Sequence, residues 1–263
     1  MKLKDVLIVC TEPTNKTQSL TIQLVQKTLK KYRINYGISA REKLNYNLFK
    51  NKDLIVVIGG DGTFLIASHY VLDKTLFFGV NSDPEYKEGF FMSATKADFD
   101  IKLKKIIQNK FKIKKLHRLE AYIGSKKISE LALNEFYVAA AVPYHTARYY
   151  FSAKGRRERQ KSSGILVSTA AGSYAWMKSA GGKTLPLDSD KFQYLIREPY
   201  CGRTAAKCTL INDVLNKNEK VSIEFENADG LIIADSTGKE HKFGAKERVV
   251  IKLSNKPLYS ISF

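Results

Sequence analysis

Along the first ninety residues, short solid apolar runs alternate with longer stretches whose hydrophobic residues recur every three or four positions. The segments Asp5 to Cys10, Asn35 to Ser39, Leu54 to Ile58 and Thr75 to Val80 read as strands, and Ser19 to Tyr32 and Thr63 to Leu72 as helices. That order is the one a doubly wound α/β unit requires. After a further helix around Lys96 to Gln108 the period shortens. Leu116 to Ile123, Lys127 to Ala139, Tyr149 to Ala153, Lys220 to Glu226, Gly230 to Ala234 and Val249 to Leu253 read as strands bounded by Gly, Asn, Asp or Lys. The change of period places a boundary near residue 95. It predicts an α/β unit over 1–95, a β-rich unit over 96–263, and a ligand site in the cleft between them. No internal repeat and no low-complexity linker interrupts the pattern.

Composition narrows the class. With 263 residues, 44% hydrophobic and only 6 Pro, the chain can bury a sizeable core in two compact units. No run approaches the roughly 18 apolar residues of a membrane span, and Met1 to Lys4 leads directly into a strand instead of a signal sequence. A cytoplasmic protein without membrane contact is the expectation. Three separated cysteines, Cys10, Cys201 and Cys208, suit a reducing compartment; neither a metal site nor a structural disulfide is expected from them. The formal net charge of +18 favours polyanionic partners such as nucleotides, polyphosphate or nucleic acid. The lysines are scattered, as in Lys102, Lys104 and Lys105, so they read as solvated faces and no specific nucleic-acid partner is expected.

Three segments carry candidate chemistry. Gly59-Gly60-Asp61-Gly62-Thr63 sits between a buried strand and a helix, where strand ends and helix N-termini of open α/β sheets receive ligands. Glycines let a phosphate approach the backbone, and the single acid can orient a hydroxyl; a plain Gly-Asp-Gly turn is the alternative. Asn134-Glu135 interrupts the apolar stretch Ile128 to Ala141. If buried, each side chain needs partners to avoid a penalty of roughly 1–3 kcal/mol, which ribose hydroxyls would supply. A strand end with solvated side chains is the alternative. In the third segment, Lys161 to Trp176, a β-like run passes into small residues and then a helix-like stretch. Small side chains leave room for a flat base and Tyr174 and Trp176 can stack on it, unless they are core aromatics beside a Gly-Ser turn.

In this order the three segments resemble the NAD kinase family, whose motifs are a GGDGT loop, an Asn-Glu pair and a Thr-Gly-Ser-x-Ala-aromatic segment ending in Ala-Gly-Gly. The matches lie at 59–63, 134–135 and 172–182. The words Gly79-Val80-Asn81-Ser82-Asp83-Pro84-Glu85, Gln160 to Gly164, Gly172 to Trp176 and Ile196-Arg197-Glu198-Pro199 are most similar to the mitochondrial branch. The resemblance implies a Rossmann-like first domain, a sandwich-like second domain and transfer of the terminal phosphoryl group of ATP to the 2′-hydroxyl of the adenosine ribose of NAD, giving NADP. It implies that Asp61 positions that hydroxyl and accepts its proton late, that Gly59, Gly60, Gly62 and Thr63 face phosphates and ribose, and that Phe64 lines the pocket. Asn134 and Glu135 would hold the adenosine, and Ser173, Tyr174, Ala175 and Trp176 would flank the bases. Ser163 stands where many bacterial members carry a nucleotide-contacting aspartate, Thr169-Ala170-Ala171 replaces Thr-Pro-Thr, and Trp176 replaces a tyrosine. Mg²⁺ or another divalent cation would accompany ATP without a metal site built by the protein, and a homodimer or homotetramer is implied. The C-terminal helix common in the family is not expected. A lipid kinase of the diacylglycerol or sphingosine type shares the loop but leaves Gly172 to Trp176 without a role. A silent dinucleotide-binding regulator would not need Asp61.

Overall fold

The computed structural model describes residues 2–142, 144–202, 208–237 and 239–263. Contacts divide the chain into two compact units, residues 1–115 with 258–263, and residues 116–257. The first contains β1 (Asp5–Cys10), α1 (Lys16–Lys31), β2 (Asn35–Ala40), α2 (Tyr46–Phe49), β3 (Leu54–Gly59), α3 (Asp61–Ser68), β4 (Leu76–Asn81), β5 (Ala94–Thr95), α4 (Phe99–Ile107) and β6 (Lys112–Leu116). The second contains β7 (Leu119–Ile123), β8 (Lys126–Lys127), β9 (Glu135–Ala140), β10 (Ala147–Ala153), β11 (Arg156–Ser162), β12 (Gly164–Ser168), α5 (Trp176–Ser179), β13 (Phe192–Arg197), β14 (Asn212–Leu215), β15 (Lys220–Phe225), β16 (Gly230–Ala234), β17 (Glu240–Phe243) and β18 (Arg248–Leu253). A last strand, β19 (Leu258–Ser262), returns to the first unit.

The first sheet runs β2-β1-β3-β4-β19-β6, with β5 added beside β4. The pairings of β1 with β2 and β3, and of β4 with β3, β5 and β19, are all parallel. Every residue of β3 is buried, because a central parallel strand is covered on both faces, and this explains its unbroken Leu-Ile-Val-Val-Ile run. From β1 the chain moves outward to β2, then crosses back to place β3 on the other side of β1. Loops leaving the carboxyl ends of β1 and β3 therefore part, opening a crevice at that switch point. Helix α1 lines up behind it through Asn15, whose side chain accepts the Gln18 N–H at 2.9 Å and caps the helix. Its buried face, Thr21, Val25, Thr28 and Leu29, follows the helical period against the sheet.

The second unit is a sandwich of two six-stranded antiparallel sheets, β11-β10-β15-β18-β7-β8 and β14-β13-β12-β9-β16-β17. Alternate residues of both sheets, among them Phe136, Val138, Tyr149, Phe151, Phe192, Tyr194 and Phe225, fill one continuous core. The opposite face of β9 is thus left for Glu135 and Tyr137.

Several expectations need correction. The boundary near residue 95 cuts too early, since α4 packs its Phe99, Leu103 and Ile106 into the core of the first sheet. The predicted strand Leu116 to Ile123 is two strands. Arg118, fully buried, ends the extended run by donating to the carbonyls of Lys256 at 2.8 Å and Pro257 at 3.5 Å. The predicted strand Lys127 to Ala139 also breaks, leaving residues 128–134 irregular before β9. Strand β11 was hidden by its sequence Arg-Arg-Glu-Arg-Gln-Lys-Ser, a charged edge strand paired only with β10. Cys201 and Cys208 form a disulfide, against expectation, with their Cα atoms 5.9 Å apart, a separation that residue spacing in the sequence does not reveal; Cys10 is free and buried. Among the described residues no helix is long and apolar enough to cross a membrane.

The chain after β4 returns across that strand closely enough to test. A Cβ on Gly79 would lie 2.9 Å from the Phe91 carbonyl oxygen and 2.7 Å from Met92 Sδ. Gly79→Ala should therefore lower stability by roughly 1–3 kcal/mol through overpacking against backbone, measured by urea denaturation.

Candidate active site

In the first unit the site is built on two loops at the carboxyl ends of β3 and β4. Gly59 closes β3, and its carbonyl accepts the Ser82 N–H at 3.0 Å, tying the loops together. Gly60 precedes α3, and its carbonyl accepts the N–H groups of Thr63 and Phe64 to start the first turn. Asp61 opens the helix, with its carboxylate turned toward the second loop. Its Oδ2 accepts the Phe90 N–H at 3.0 Å and its Oδ1 accepts the Phe91 N–H at 2.9 Å. Each oxygen retains a further lone pair for a hydroxyl donor. Thr63 is buried, and Gly59 must be glycine because a Cβ there would stand 2.6 Å from Thr63 Oγ1. Phe64 does not line an open pocket: it is fully buried, stacked on Phe91 at 5.1 Å and edge-on to Phe77 at 5.3 Å. Its contribution is to seat the loop that holds Asp61.

The second loop is braced from within. Asn81 Oδ1 accepts the Asp83 N–H at 3.0 Å, while its Nδ2 donates to the Lys87 carbonyl at 2.9 Å. Asp83 Oδ2 in turn accepts from Asn15 Nδ2 at 2.7 Å and Gln18 Nε2 at 3.4 Å, fixing the loop to α1. Lys87 crosses Gly60 and donates to Ser82 Oγ at 2.9 Å; burial lowers the pKa of its amine.

In the second unit, Asn134 and Glu135 are buried instead of solvated at a strand end. Asp235, just beyond β16, collects the backbone N–H groups of Leu133 at 2.8 Å, Asn134 at 2.6 Å and Glu135 at 3.1 Å. It does so from a left-handed φ of 51°, a region aspartate tolerates better than most residues. The Asn134 carbonyl is fixed from the other side by the Thr169 N–H at 2.9 Å and Ser168 Oγ at 3.1 Å. With the backbone so held, Asn134 Oδ1 and Glu135 Oε2 are buried and lack a hydrogen-bond partner among the described residues. Burial, reinforced by the Asp235 charge, pushes Glu135 up to about 8. A ligand with hydroxyl or amide groups would satisfy both atoms.

The third segment folds over the same face. Strand β12 passes into Thr169, whose hydroxyl donates to the Leu133 carbonyl at 2.6 Å and accepts the Gly172 N–H at 3.0 Å. Gly172 packs on the Asn134 carbonyl so closely that any Cβ would collide with it. Ser173 is drawn inward: its hydroxyl donates to the Ala170 carbonyl at 2.7 Å and accepts the Leu185 N–H at 2.9 Å, which makes it a brace for the turn. Tyr174 is exposed, and Ala175 is half-buried at the turn into α5. Trp176 is neither core nor free. Its ring lies 4.9 Å from that of Tyr137, with the Arg197 guanidinium 5.1 Å from it, at a groove of about 360 Å³ that Ala180, Pro199 and Asn212 also line. Ser163 is exposed, and its carbonyl accepts the Tyr137 hydroxyl at 2.7 Å. Asn134, Glu135, Gly172, Ser163 and Trp176 are thereby linked on one face of the second unit.

No family model matches the chain. An NAD kinase of Clostridium perfringens is 30% identical over 254 residues, covering 95% of this chain and 88% of that one. The chain belongs to the NAD kinase family. A probable NADH kinase of Oryza sativa is 29% identical over 242 residues, covering 84% of this chain and 74% of that protein. The crystal structure of an NAD kinase from Archaeoglobus fulgidus in complex with ATP has the same fold, with a TM-score of 0.79 at 22% identity over 97% of this chain and 92% of that one.

For this member of the NAD kinase family, sequence reasoning missed Asp235 and Lys87. Asp235 had a readable signal, an acid ending the apolar run Gly230 to Ala234 as Asp61 ends Leu54 to Ile58. Lys87 had none among so many lysines. No group of three or more His, Cys, Asp or Glu residues among the described ones could hold a metal ion.

Glu135 makes stability pH-dependent with a definite sign. Its ordinary value of 4.5 applies in the unfolded chain and about 8 in the folded one. The folded state therefore favours the protonated acid, so its contribution is complete below the unfolded value and is lost as pH rises through the folded one. Between about pH 5 and 9 the melting temperature of the parent should fall relative to that of Glu135→Gln, as followed by calorimetry.

Proposed function

We propose that this chain is an NAD kinase, transferring the terminal phosphoryl group of ATP to the 2′-hydroxyl of the adenosine ribose of NAD or NADH. The observation that carries the reading is Asp61, a carboxylate at a sheet's ligand-binding edge, oriented by two backbone N–H bonds and keeping acceptor capacity for a hydroxyl. A sugar hydroxyl is a weak acid, so Asp61 orients it first and takes its proton only as the new P–O bond forms. Asn134 and Glu135 hold the adenosine through their unpartnered oxygens, and the protonated Glu135 can donate as well as accept. Tyr174, Ala175 and Trp176 flank the bases, with Trp176 offering the ring face that Tyr137 and Arg197 leave uncovered. Gly60 and Gly62 admit the phosphates. A divalent cation, Mg²⁺ in our reading, would arrive on the donor's phosphates and neutralise their charge.

Support for the acceptor comes from the NAD kinase and NADH kinase names of the relatives, and for the donor from the ATP complex of the A. fulgidus protein. The same comparisons leave the lipid-kinase and silent-regulator readings without support. We carry over from the family a homodimeric or homotetrameric state and a cytoplasmic setting, and from the motif words a place near the mitochondrial branch.

A coupled assay of the purified protein with ATP, Mg²⁺ and NAD should produce NADP, with NADH as a competing acceptor and diacylglycerol inert; phosphorylation of diacylglycerol without NADP would overturn the reading. Asp61→Asn should keep NAD binding within a few fold and lower turnover by roughly 10²–10⁴. Because asparagine keeps one acceptor oxygen and turns its NH2 toward the other backbone N–H, the Phe90–Phe91 turn should lose roughly 1–3 kcal/mol of support, visible as a lower urea midpoint.

A further inference from the structure

Lys87 occupies a position that nothing in the first loop's own geometry requires. Its backbone is fixed on both sides: the N–H donates to the Asp83 carbonyl at 2.9 Å, and the carbonyl accepts Asn81 Nδ2 at 2.9 Å. From that anchor the side chain runs across Gly60. A Cβ on Gly60 would lie 3.2 Å from Lys87 Cδ, so the glycine leaves the lysine stem its path. The ammonium ends on a neutral group, Ser82 Oγ at 2.9 Å, and no carboxylate among the described residues pairs with it. Asp83 is near enough to favour its charge, but Asp83 Oδ2 already accepts from Asn15 and Gln18. A second cation stands close. Arg41 Nη1 lies 4.0 Å from the Cβ position of Gly62, and its charge acts against that of Lys87.

Two neighbouring cations, one half-buried and without an acid, beside a loop of glycines are unfavourable by themselves and favourable with an anion between them. The loop also carries Asp61, whose negative charge repels a polyphosphate brought to it. A cation on the same loop offsets that repulsion. We propose that Lys87, assisted by Arg41, binds the polyphosphate of the phosphoryl donor over the Gly59–Gly60 turn and stabilises the phosphoryl group in transfer. The assignment rests on the kinase reading above. The physical advantage is that charge on the transferring group is met by a fixed cation, held by a braced loop that need not reorganise.

The test compares the parent with Lys87→Met, which keeps the stem across Gly60, and with Lys87→Arg and Arg41→Gln. ATP with Mg²⁺ is titrated by calorimetry, and kcat and the KM values for ATP and NAD are measured on proteins whose melting temperatures match the parent. Lys87→Met should weaken ATP binding about tenfold or more and lower kcat by roughly 10²-fold, with the KM for NAD within about twofold. Lys87→Arg should recover part of the loss, and Arg41→Gln, at a half-buried position where Arg41 Nε already pairs with Glu42 Oε1 at 2.7 Å, should show a smaller loss of ATP affinity. Unchanged ATP affinity and kcat in Lys87→Met would overturn the proposal while leaving the activity reading intact. A loss confined to the KM for NAD would move the ammonium to the acceptor's pyrophosphate and overturn the donor assignment. If the parent bound ATP through Lys87 but made no NADP, the acceptor reading would fail and the Lys87 assignment would stand. Should Lys87→Met not fold, Lys87→Arg and Arg41→Gln decide the matter by the same ATP titration.

Discussion

A carboxylate that gathers backbone N–H groups organises each unit of this protein. In the first, Asp61 takes the N–H groups of Phe90 and Phe91 and so ties the start of α3 to the chain after β4. In the second, Asp235 takes three consecutive N–H groups from Leu133 to Glu135. Bonds to an ionised acceptor are worth more than neutral ones, and backbone donors that would otherwise be orphaned in irregular segments gain a partner. Both acids stand just past an apolar strand, where the sheet supplies a rigid base and the loop supplies the freedom to turn. The shape of each candidate site follows from these two grips: one leaves Asp61 with spare lone pairs, the other leaves Asn134 Oδ1 and Glu135 Oε2 without partners.

Much of the fold was legible because burial on two faces leaves a plain mark. The runs of β1, β3 and β4 are solid apolar, and α1 carries a three-four period. Strand β16 was readable to the residue, since it alternates buried and half-buried positions between a glycine and an acid. What could not be read depended on partners distant in sequence. Strand β11 is charged because it lies at an edge, where Arg159 finds Glu226 at 2.5 Å and Glu158 accepts the Leu210 N–H at 2.9 Å. The split at Arg118 depends on carbonyls nearly 140 residues away. Similarly, Asn134-Glu135 showed itself as a polar interruption, but its burial became visible only with Asp235 and Gly172 in place.

The polar residues of the motifs divide into two kinds of work. Ser173, Thr169 and Gly172 are occupied with the backbone of their own turn and of residues 133–134, so their value is in shaping. Asp61, Asn134, Glu135 and Lys87 keep hydrogen-bonding capacity that their own segments do not use up. The departures Ala170 and Ala171 fall in the shaping group, both buried at the turn that carries Gly172 and Ser173. Trp176 belongs to neither, being half covered by Tyr137 and Arg197.

The position of β19 bears on how the molecule comes to exist. It lies between β4 and β6 in the first sheet, and the Ile261 carbonyl accepts Ser93 Oγ at 2.6 Å. A chain emerging from the ribosome therefore holds an unfinished first sheet throughout the synthesis of residues 116–257. During that interval Leu76 and Phe77 of β4 lack their β19 partners, and Ser93 Oγ lacks the Ile261 carbonyl. The sandwich, whose strands are all contained within its own span, can complete itself first. The last pairing of the first sheet can therefore be made only once residues 258–262 exist, after every residue of the second unit has been synthesised.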